Sequence, residues 1–158
     1  MRTSEMKKHP KHVKMVFVLF ISALVFLQLW KFYWPSLDLG LKNENLHVLH
    51  AKTLFQQYRG LGKRESLGRF DGMLFVFDVY AKHGIVMRDM MFPIDIVWLR
   101  DAKVVDIAPD VQTEPGTPEK YLRRYYPRIE ANMVLELPAA WAQKHELKIG
   151  DELRILDP

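Results

Sequence analysis

The chain has 158 residues, the length of one domain with short additions, since domains usually contain about 100–150 residues. Its formal net charge is +4, but residues 1–14 hold five basic side chains against one acidic side chain and account for all of it. The remaining chain is electrically balanced, which argues against a nucleic-acid-binding protein. There is no cysteine, which excludes disulfides, thiolate metal sites and cysteine nucleophiles.

A long apolar run follows the basic tail. Residues 15–30 are apolar or small apart from Gln28. Continued to Trp34, the run reaches about 20 residues, which is the length of a helix that spans the hydrocarbon core. Lysines precede the run, and no basic residue occurs for ten positions after Lys31, a pattern that places the N-terminus in the cytoplasm. The sequence therefore predicts a transmembrane anchor over Met15–Trp34.

Two other interpretations of the apolar run remain open, a cleaved signal peptide and a buried hydrophobic helix. A signal peptide has the same charge layout, but cleavage requires small residues at the end of the run, and residues 27–32 are bulky. With the anchor retained, we expect a cytoplasmic tail (1–14), a short polar linker (35–45) and an extracytoplasmic domain (46–158). The predicted location is the inner (cytoplasmic) membrane, with a single pass and the lipid bilayer as a partner through Met15–Trp34.

Beyond the linker, short apolar and aromatic-rich segments predict strands. Two short helices are expected, one capped by Thr53 and ended by Gly60, the other running from Ala139 to His145 after Pro138. Pro109–Pro118 is predicted as a loop. The fold class is α+β, a compact β-rich barrel-like domain with two short helices, preceded by one transmembrane helix. The predicted strands are Leu46–Leu49, Met73–Phe77, Ile85–Met87, Ile94–Leu99, Lys103–Ile107, Met133–Leu137 and Glu152–Leu156.

A glycine-led apolar strand (Gly72–Phe77), an Asp two residues after a proline (Pro93 and Asp95) and a Leu-Pro-Ala helix start (Leu137–Ala139) follow one another along the chain. In this order they resemble the domain of unknown function 192 family, from Leu54 to Leu153. The matching positions are Gly60, Leu61, Arg64, Leu67, Gly72–Phe77, Met87, Pro93, Asp95, Ile96, Val134–Ala139, Gly150 and Asp151. The chain departs from the family pattern at Gly62 (Met in the pattern), Val86 (Trp), Arg88 (Lys), Asp89 (Asn) and Met90 (Thr).

These departures fall where a ligand site would be expected, so a family ligand, if there is one, is altered or lost in this chain. Arg88 is not equivalent to the Lys of the pattern, because the planar guanidinium favours acceptors that take two hydrogen bonds. The ligand-binding candidates are Arg64, Met87, Arg88, Asp89, Asp95 and Glu136.

Asp89 and Asp95 admit two interpretations. As a pair with one acid and one ionised group, they would suit hydrolysis of a glycosidic bond. Alternatively Asp95 is a buried structural group that is hydrogen-bonded or paired, with Arg88 or Arg64 as candidate partners. The structural role is favoured. The two interpretations differ in whether Asp89, Asp95 and Arg88 converge in an open pocket.

Two further groups of residues suggest binding only weakly. His47 and His50 are three residues apart, so on a strand they face opposite sides, and no third metal ligand is near in sequence. We predict no metal and no other cofactor. The segment 123–128 places arginines beside tyrosines, as in a carbohydrate or anionic-lipid contact, although a solvated connector is the simpler interpretation.

The function predicted from the sequence is that of a membrane-anchored extracytoplasmic binding or accessory protein of unknown ligand. Its partner would be an envelope glycan, lipid or protein. The alternative is an envelope hydrolase using Asp89 and Asp95. Residues 137–153 are also similar to the swapped-hairpin transcription-factor module, but the neutral charge and the outward topology argue against DNA, and no nucleic-acid partner is expected.

Overall fold

The structure, a computed structural model, describes residues 11–30 and 34–156, with side chains at 13–27 and 34–156. The chain divides into two compact units, Met1–Tyr33 and Trp34–Pro158. The first contains helix α1 (Lys11–Trp30), whose described side chains are all exposed. In the part of the chain that the structure describes, no helix has both the length and the apolar character needed to cross a membrane. Residues 1–10 of the predicted tail and 31–33 of the predicted anchor lie outside the described residues.

The second unit is rich in strands. Its described residues form nine strands and two short α-helices, α2 (Leu54–Arg59) and α3 (Trp141–Lys144), with a 3-10 turn at Glu119–Tyr121. This confirms the predicted compact α+β domain. The strands are β1 (Ser36–Leu41), β2 (Glu44–Ala51), β3 (Gly72–Ala81), β4 (Ile85–Val86), β5 (Ile94–Arg100), β6 (Lys103–Val111), β7 (Arg124–Tyr125), β8 (Ala131–Pro138) and β9 (Leu153–Leu156).

Seven strands form one curved sheet in the order β6-β5-β8-β3-β2-β1-β9, while β4 and β7 pair separately. Neighbouring strands of the sheet are antiparallel except β2 and β3, which are parallel and are joined through α2. The two edges of the sheet meet, because the Val104 amide donates to the Asp151 carbonyl at 2.8 Å and the Gly150 amide donates to the Val104 carbonyl at 2.8 Å. The sheet therefore curls into a partly closed barrel.

Both faces of the central strands are buried, each by its own core cluster. Consecutive side chains of a strand alternate between faces, so the apolar runs of β3, β5 and β8 contribute to both clusters. A polar residue on either face of these strands is consequently removed from water. The first face carries Leu74, Val97, Leu135 and Leu137, and the second carries Met73, Phe75, Ile96, Trp98 and Val134.

The prediction that residues 35–45 form a linker is wrong. Most of it is β1 and the start of β2, and β1 pairs with both β2 and β9. The physical reason is visible in the sequence, because leucines alternate with small or polar residues from Ser36 to Leu41 and two of them, Leu39 and Leu41, are fully buried.

Two other boundaries differ from prediction. Strand β6 continues to Val111, into the predicted loop, because Val111 pairs with Ile94 and its side chain is buried. Helix α3 is confined to Trp141–Lys144, since Pro138 still belongs to β8 and Ala140 adopts a left-handed conformation with φ 66°.

Removing residues 1–33 is expected to leave a folded domain. Trp34 must stay, because it packs against the second core cluster and the Arg64 guanidinium carbon lies 5.1 Å from the centroid of its ring. A single cooperative urea transition of the 34–158 fragment is the expected result. The matched control starts at residue 46, where the sequence placed the domain boundary; it lacks β1 and should unfold or aggregate. An aggregated 34–158 fragment would contradict the prediction.

Candidate functional site

A cavity of about 190 Å³ opens between α2, the small β4–β7 sheet and the second face of the main sheet. Polar and apolar groups both contribute to its wall. The polar lining residues are Gln57, Tyr58, Arg59, Arg88, Arg124 and Glu136. The other lining residues are Gly60, Leu61, Gly62, Phe75, Gly84, Ile85, Val86 and Met90.

Helix α2 forms one side of the cavity, and local sequence fixes where it begins and ends. Thr53 and Gln56 make a capping box, in which the Gln56 amide donates to Thr53 Oγ1 at 3.2 Å and the Thr53 amide donates to Gln56 Oε1 at 3.0 Å. Gly60 ends the helix with φ 53°. The predicted cap and stop are confirmed, and they place Tyr58 and Arg59 at the cavity.

Two glycines allow backbone segments around the cavity to approach closely. A Cβ atom on Gly72 would lie 2.3 Å from the Glu136 carbonyl oxygen, and one on Gly62 would lie 2.7 Å from the Arg88 carbonyl oxygen. Neither position has room for a side chain without moving backbone. The absence of a side chain at Gly72 thus allows β3 to lie close to β8 at Glu136. In the same way, Gly62 allows the loop after α2 to lie close to the backbone of Arg88.

Glu136 is a carboxylic acid at a core position. It lies on the second face of β8, opposite Met73 and Ile96, and is only 5% exposed. Its Oε2 atom has no hydrogen-bond partner. Burial raises the pKa of Glu136 to about 8, so the side chain is mostly protonated at neutral pH.

Arg88 connects three segments around the cavity. Its Nη1 donates to the Tyr58 carbonyl at 2.6 Å, and its guanidinium carbon lies 3.9 Å from the centroid of the Tyr58 ring. Its Nη2 pairs with Glu119, which also accepts from the Tyr58 hydroxyl at 3.0 Å. The hydrogen bonds from Arg88 and then Tyr58 lower the pKa of the Glu119 carboxyl. Arg88 Nε is buried and has no partner.

Two residues of the cavity wall carry buried polar atoms without a hydrogen-bond partner. Among the described side chains that are not exposed, the buried polar atoms without a partner are Arg88 Nε and Glu136 Oε2, and both residues line it. Such atoms are rare in folded proteins, because each carries the cost of lost hydration. The sequence named Arg88 and Glu136 as ligand-binding candidates, and the structure brings these two to one cavity.

Asp95 does not belong to this cavity. It pairs with Leu137 across β5 and β8, on the face of the sheet opposite Glu136, and is fully buried. Its Oδ1 accepts from the amides of Asp110 at 2.8 Å and Ala140 at 3.1 Å, and its Oδ2 accepts from the Ala142 amide at 2.7 Å. The expectation that Asp95 is hydrogen-bonded is confirmed, but its partners are backbone amides rather than Arg88 or Arg64.

Asp89 lies in a turn with φ 53°, a conformation that Asp and Asn adopt more readily than other residues with a side chain. Its side chain is 52% exposed, with one oxygen 3.5 Å from Lys63 Nζ, and it lines a different cavity of about 170 Å³. The structure therefore does not bring Asp89 and Asp95 together in one pocket. The hypothesis of paired catalytic carboxylates loses its geometric basis.

The remaining candidates have structural surroundings. Met87 is buried in the second core cluster, and Arg64 stacks on Trp34; neither lines the cavity. His47 Nδ1 lies 2.7 Å from Asp38 Oδ1, and the ring stacks on Phe70. Within the described residues, no group of three or more His, Asp or Glu side chains could hold a metal ion.

Sequence reasoning missed Tyr58, Arg59 and Arg124 as site residues. Arg124 belongs to the basic, aromatic segment that the sequence singled out without assigning it to a site. It reaches the cavity because it pairs with Val86 across the short β4–β7 sheet. The sequence feature that could have pointed to this part of the cavity is Val86, which lies two residues before Arg88 and at a departure from the family pattern.

Comparison with known proteins identifies the family. The model of domain of unknown function 192, described as "Uncharacterized ACR", matches residues 38–155, well over half of the chain. The chain belongs to the domain of unknown function 192 family. This confirms the resemblance found in the sequence, and the match begins earlier than Leu54, inside β1. A search of the curated proteins gives no match.

Solved structures share the fold of this family member. A protein from Sinorhizobium meliloti 1021 described as a candidate transcription regulator has a TM-score of 0.68 at 21% identity, over 77% of this chain and 95% of that chain. A protein of unknown function from Novosphingobium aromaticivorans DSM 12444 has a TM-score of 0.64 at 22% identity, over 77% of this chain and 84% of that chain. At such identities the likeness shows the fold alone.

Proposed function

We propose that this member of the domain of unknown function 192 family is a binding or accessory protein whose ligand enters the cavity between α2 and Glu136. The observation that carries the proposal is that Arg88 and Glu136, the described residues with a buried polar side-chain atom that has no partner, line the same cavity. A ligand that hydrogen-bonds to both side chains would offset part of the cost of burying these polar groups.

Binding is favoured over hydrolysis. Among the described residues that line the cavity, Glu136 is the one carboxylic acid, so the paired acid and base of a glycosidase are not both available. The description of a structural neighbour as a candidate transcription regulator suggests DNA binding as another function. The charge balance of residues 15–158 argues against it, because DNA binding depends on excess positive charge.

The binding function is tested by blocking the cavity. Val86 lines it at a position where the family pattern has Trp, so Val86→Trp should fill the space. The full-length chain in non-ionic detergent is screened by ligand-observed NMR against a fixed set of small acids, amines, sugars and neutral amides. We expect at least one compound to bind the unmodified chain and not the Val86→Trp variant. Val79→Trp, at a position 62% exposed, is the control. Binding that survives Val86→Trp would contradict the proposal.

We also propose that the apolar N-terminal segment holds the domain at the outer face of the cytoplasmic membrane. Support comes from the apolar run 15–30 and the lysines that precede it. Such a run exposed to water would be a strong aggregation liability, whereas lipid removes that cost. An envelope glycan, lipid or protein is the proposed class of partner.

A chain tagged at its C-terminus is expected in the membrane fraction at full length, with the tag accessible to protease only from the outside. Leu19→Asp combined with Val25→Asp should abolish retention, because a charge in the hydrocarbon core costs about 2.5–3.5 kcal/mol per residue on insertion scales. Ser22→Ala is the matched control and should change nothing. A soluble product lacking residues 1–30 would contradict anchoring and favour a cleaved signal peptide.

A further inference from the structure

The charged groups that line the cavity favour an anion. The described lining residues of the cavity include three arginines, Arg59, Arg88 and Arg124, and one acidic residue, Glu136. Because burial raises the pKa of the Glu136 carboxyl to about 8, it is mostly neutral at neutral pH and cancels little of the positive charge. Glu119 neutralises part of Arg88 through Nη2, but Nε of the same guanidinium remains unpaired.

The rest of the lining limits the size and polarity of that anion. Leu61, Phe75, Ile85 and Met90 supply an apolar wall that a fully hydrated inorganic ion would leave unfilled. A cavity of about 150 Å³ holds a benzene molecule, and this one measures about 190 Å³. The cavity therefore suits a small molecule with an apolar group about the size of one ring and one charged group.

Resting on the proposed binding function, the geometry points to a small organic acid as the ligand. We propose that its carboxylate accepts hydrogen bonds from the guanidinium groups of Arg88 and Arg124, while its apolar body lies against Leu61, Phe75 and Met90. A planar carboxylate matches the fork of a guanidinium, which favours it over a point-like anion.

Glu136 has a definite part in this arrangement. Its protonated carboxyl donates a hydrogen bond to the ligand carboxylate, which satisfies a polar group that otherwise lies unpaired in the core. The charged and titratable side chains around the same cavity are those of Arg59, Arg88, Arg124 and Tyr58. Ionised Glu136 would instead repel the ligand, so affinity should fall as the pH rises past about 8.

The test uses benzoate as the probe and benzamide as its neutral counterpart of the same shape. Titration of the full-length chain in non-ionic detergent at about pH 6.5 should show benzoate binding at least ~10-fold tighter than benzamide. Arg124→Gln should weaken benzoate binding ~10-fold. The matched control, Arg123→Gln, removes a neighbouring cation that does not line the cavity and should have no effect.

A pH series isolates the role of Glu136. Between about pH 7 and 9.5 the affinity of the unmodified chain for benzoate should fall ~10-fold, whereas Glu136→Gln, which keeps a neutral donor, should show little change. Equal falls in both proteins would overturn the assigned role of Glu136.

The remaining outcomes separate this inference from the proposed function. Equal binding of benzamide and benzoate, or no effect of Arg124→Gln, would overturn the organic-acid inference. Binding of inorganic phosphate without benzoate would overturn the assignment of a carboxylate with an apolar body. If only amines or sugars of the screening set bind, and Val86→Trp abolishes that binding, the inference fails while the binding function stands. If nothing binds, both fail.

Discussion

Replacing Glu136 by Gln is expected to stabilise the domain at neutral and alkaline pH by an amount that grows with pH up to about pH 8. The pKa of Glu136 is raised from 4.5 to about 8 on folding, so between these values the unfolded chain loses a proton that the folded chain keeps. The contribution of Glu136 to stability therefore falls from about pH 4.5 to about pH 8 and is level above. The Gln variant has no such linkage to pH. Its free energy of unfolding should therefore exceed that of the unmodified domain by about 3 kcal/mol at pH 7.

Urea unfolding of both proteins at about pH 4.5, 6, 7 and 8 measures this difference directly. Near pH 4.5 the two free energies of unfolding should agree within about 0.5 kcal/mol, because Glu136 is neutral in the folded chain and only half ionised in the unfolded chain. Glu130→Gln is the matched control, since Glu130 is exposed and the same substitution there should shift stability by less than about 0.5 kcal/mol. Parallel pH profiles for the unmodified chain and Glu136→Gln would mean that the buried carboxyl is ionised.

Asp95→Asn is expected to destabilise the domain by about 2–4 kcal/mol. Both carboxylate oxygens accept backbone amides, so one of the two positions would receive an amide NH2 group that faces another donor. The site is fully buried, and no water can reach the unpaired groups. The midpoint of urea unfolding at neutral pH gives the loss, with the slope of the transition unchanged.

Asp89→Asn is the control for this experiment. It makes the same chemical change at a half-exposed residue. Because Asn also adopts the left-handed backbone conformation of this residue, the free energy of unfolding should change by less than about 0.5 kcal/mol. An unshifted midpoint for Asp95→Asn would remove the structural role of Asp95 and make it the first residue to examine for a function.

Local features of this fold could be predicted because their causes are local. The Thr53–Gln56 capping box and Gly60 define α2 within a few residues of sequence, and the turn at Asp101 and Ala102 separates β5 from β6. The error at residues 35–45 had a local cause too. Polar residues between the leucines suggested a linker, although the leucines already alternated at the period of a strand.

The candidate site could be predicted only in part. Arg88 and Glu136 were named because they stand at positions of the family pattern or beside them, not because the sequence showed that they meet. In the sequence Leu135-Glu136-Leu137 the alternation alone would place Glu136 toward solvent. The structure buries it because both faces of β8 are covered, which depends on α2, β3 and the β4–β7 pair. Arg124 was missed as a site residue for the same reason, since pairings distant in sequence bring it to the cavity.

The pairing of β1 with β9 has a consequence for how the domain forms. Leu41 lies opposite Leu153, so a contact at one side of the sheet joins residues about 110 positions apart. Closing such a loop is costly in chain entropy, and topologies dominated by distant contacts fold slowly, in about milliseconds to seconds. Until β9 arrives, β1 presents an open edge to which another chain can add a strand. Newly made molecules pass through a period in which they are vulnerable to self-association, and this period ends when β9 pairs with β1.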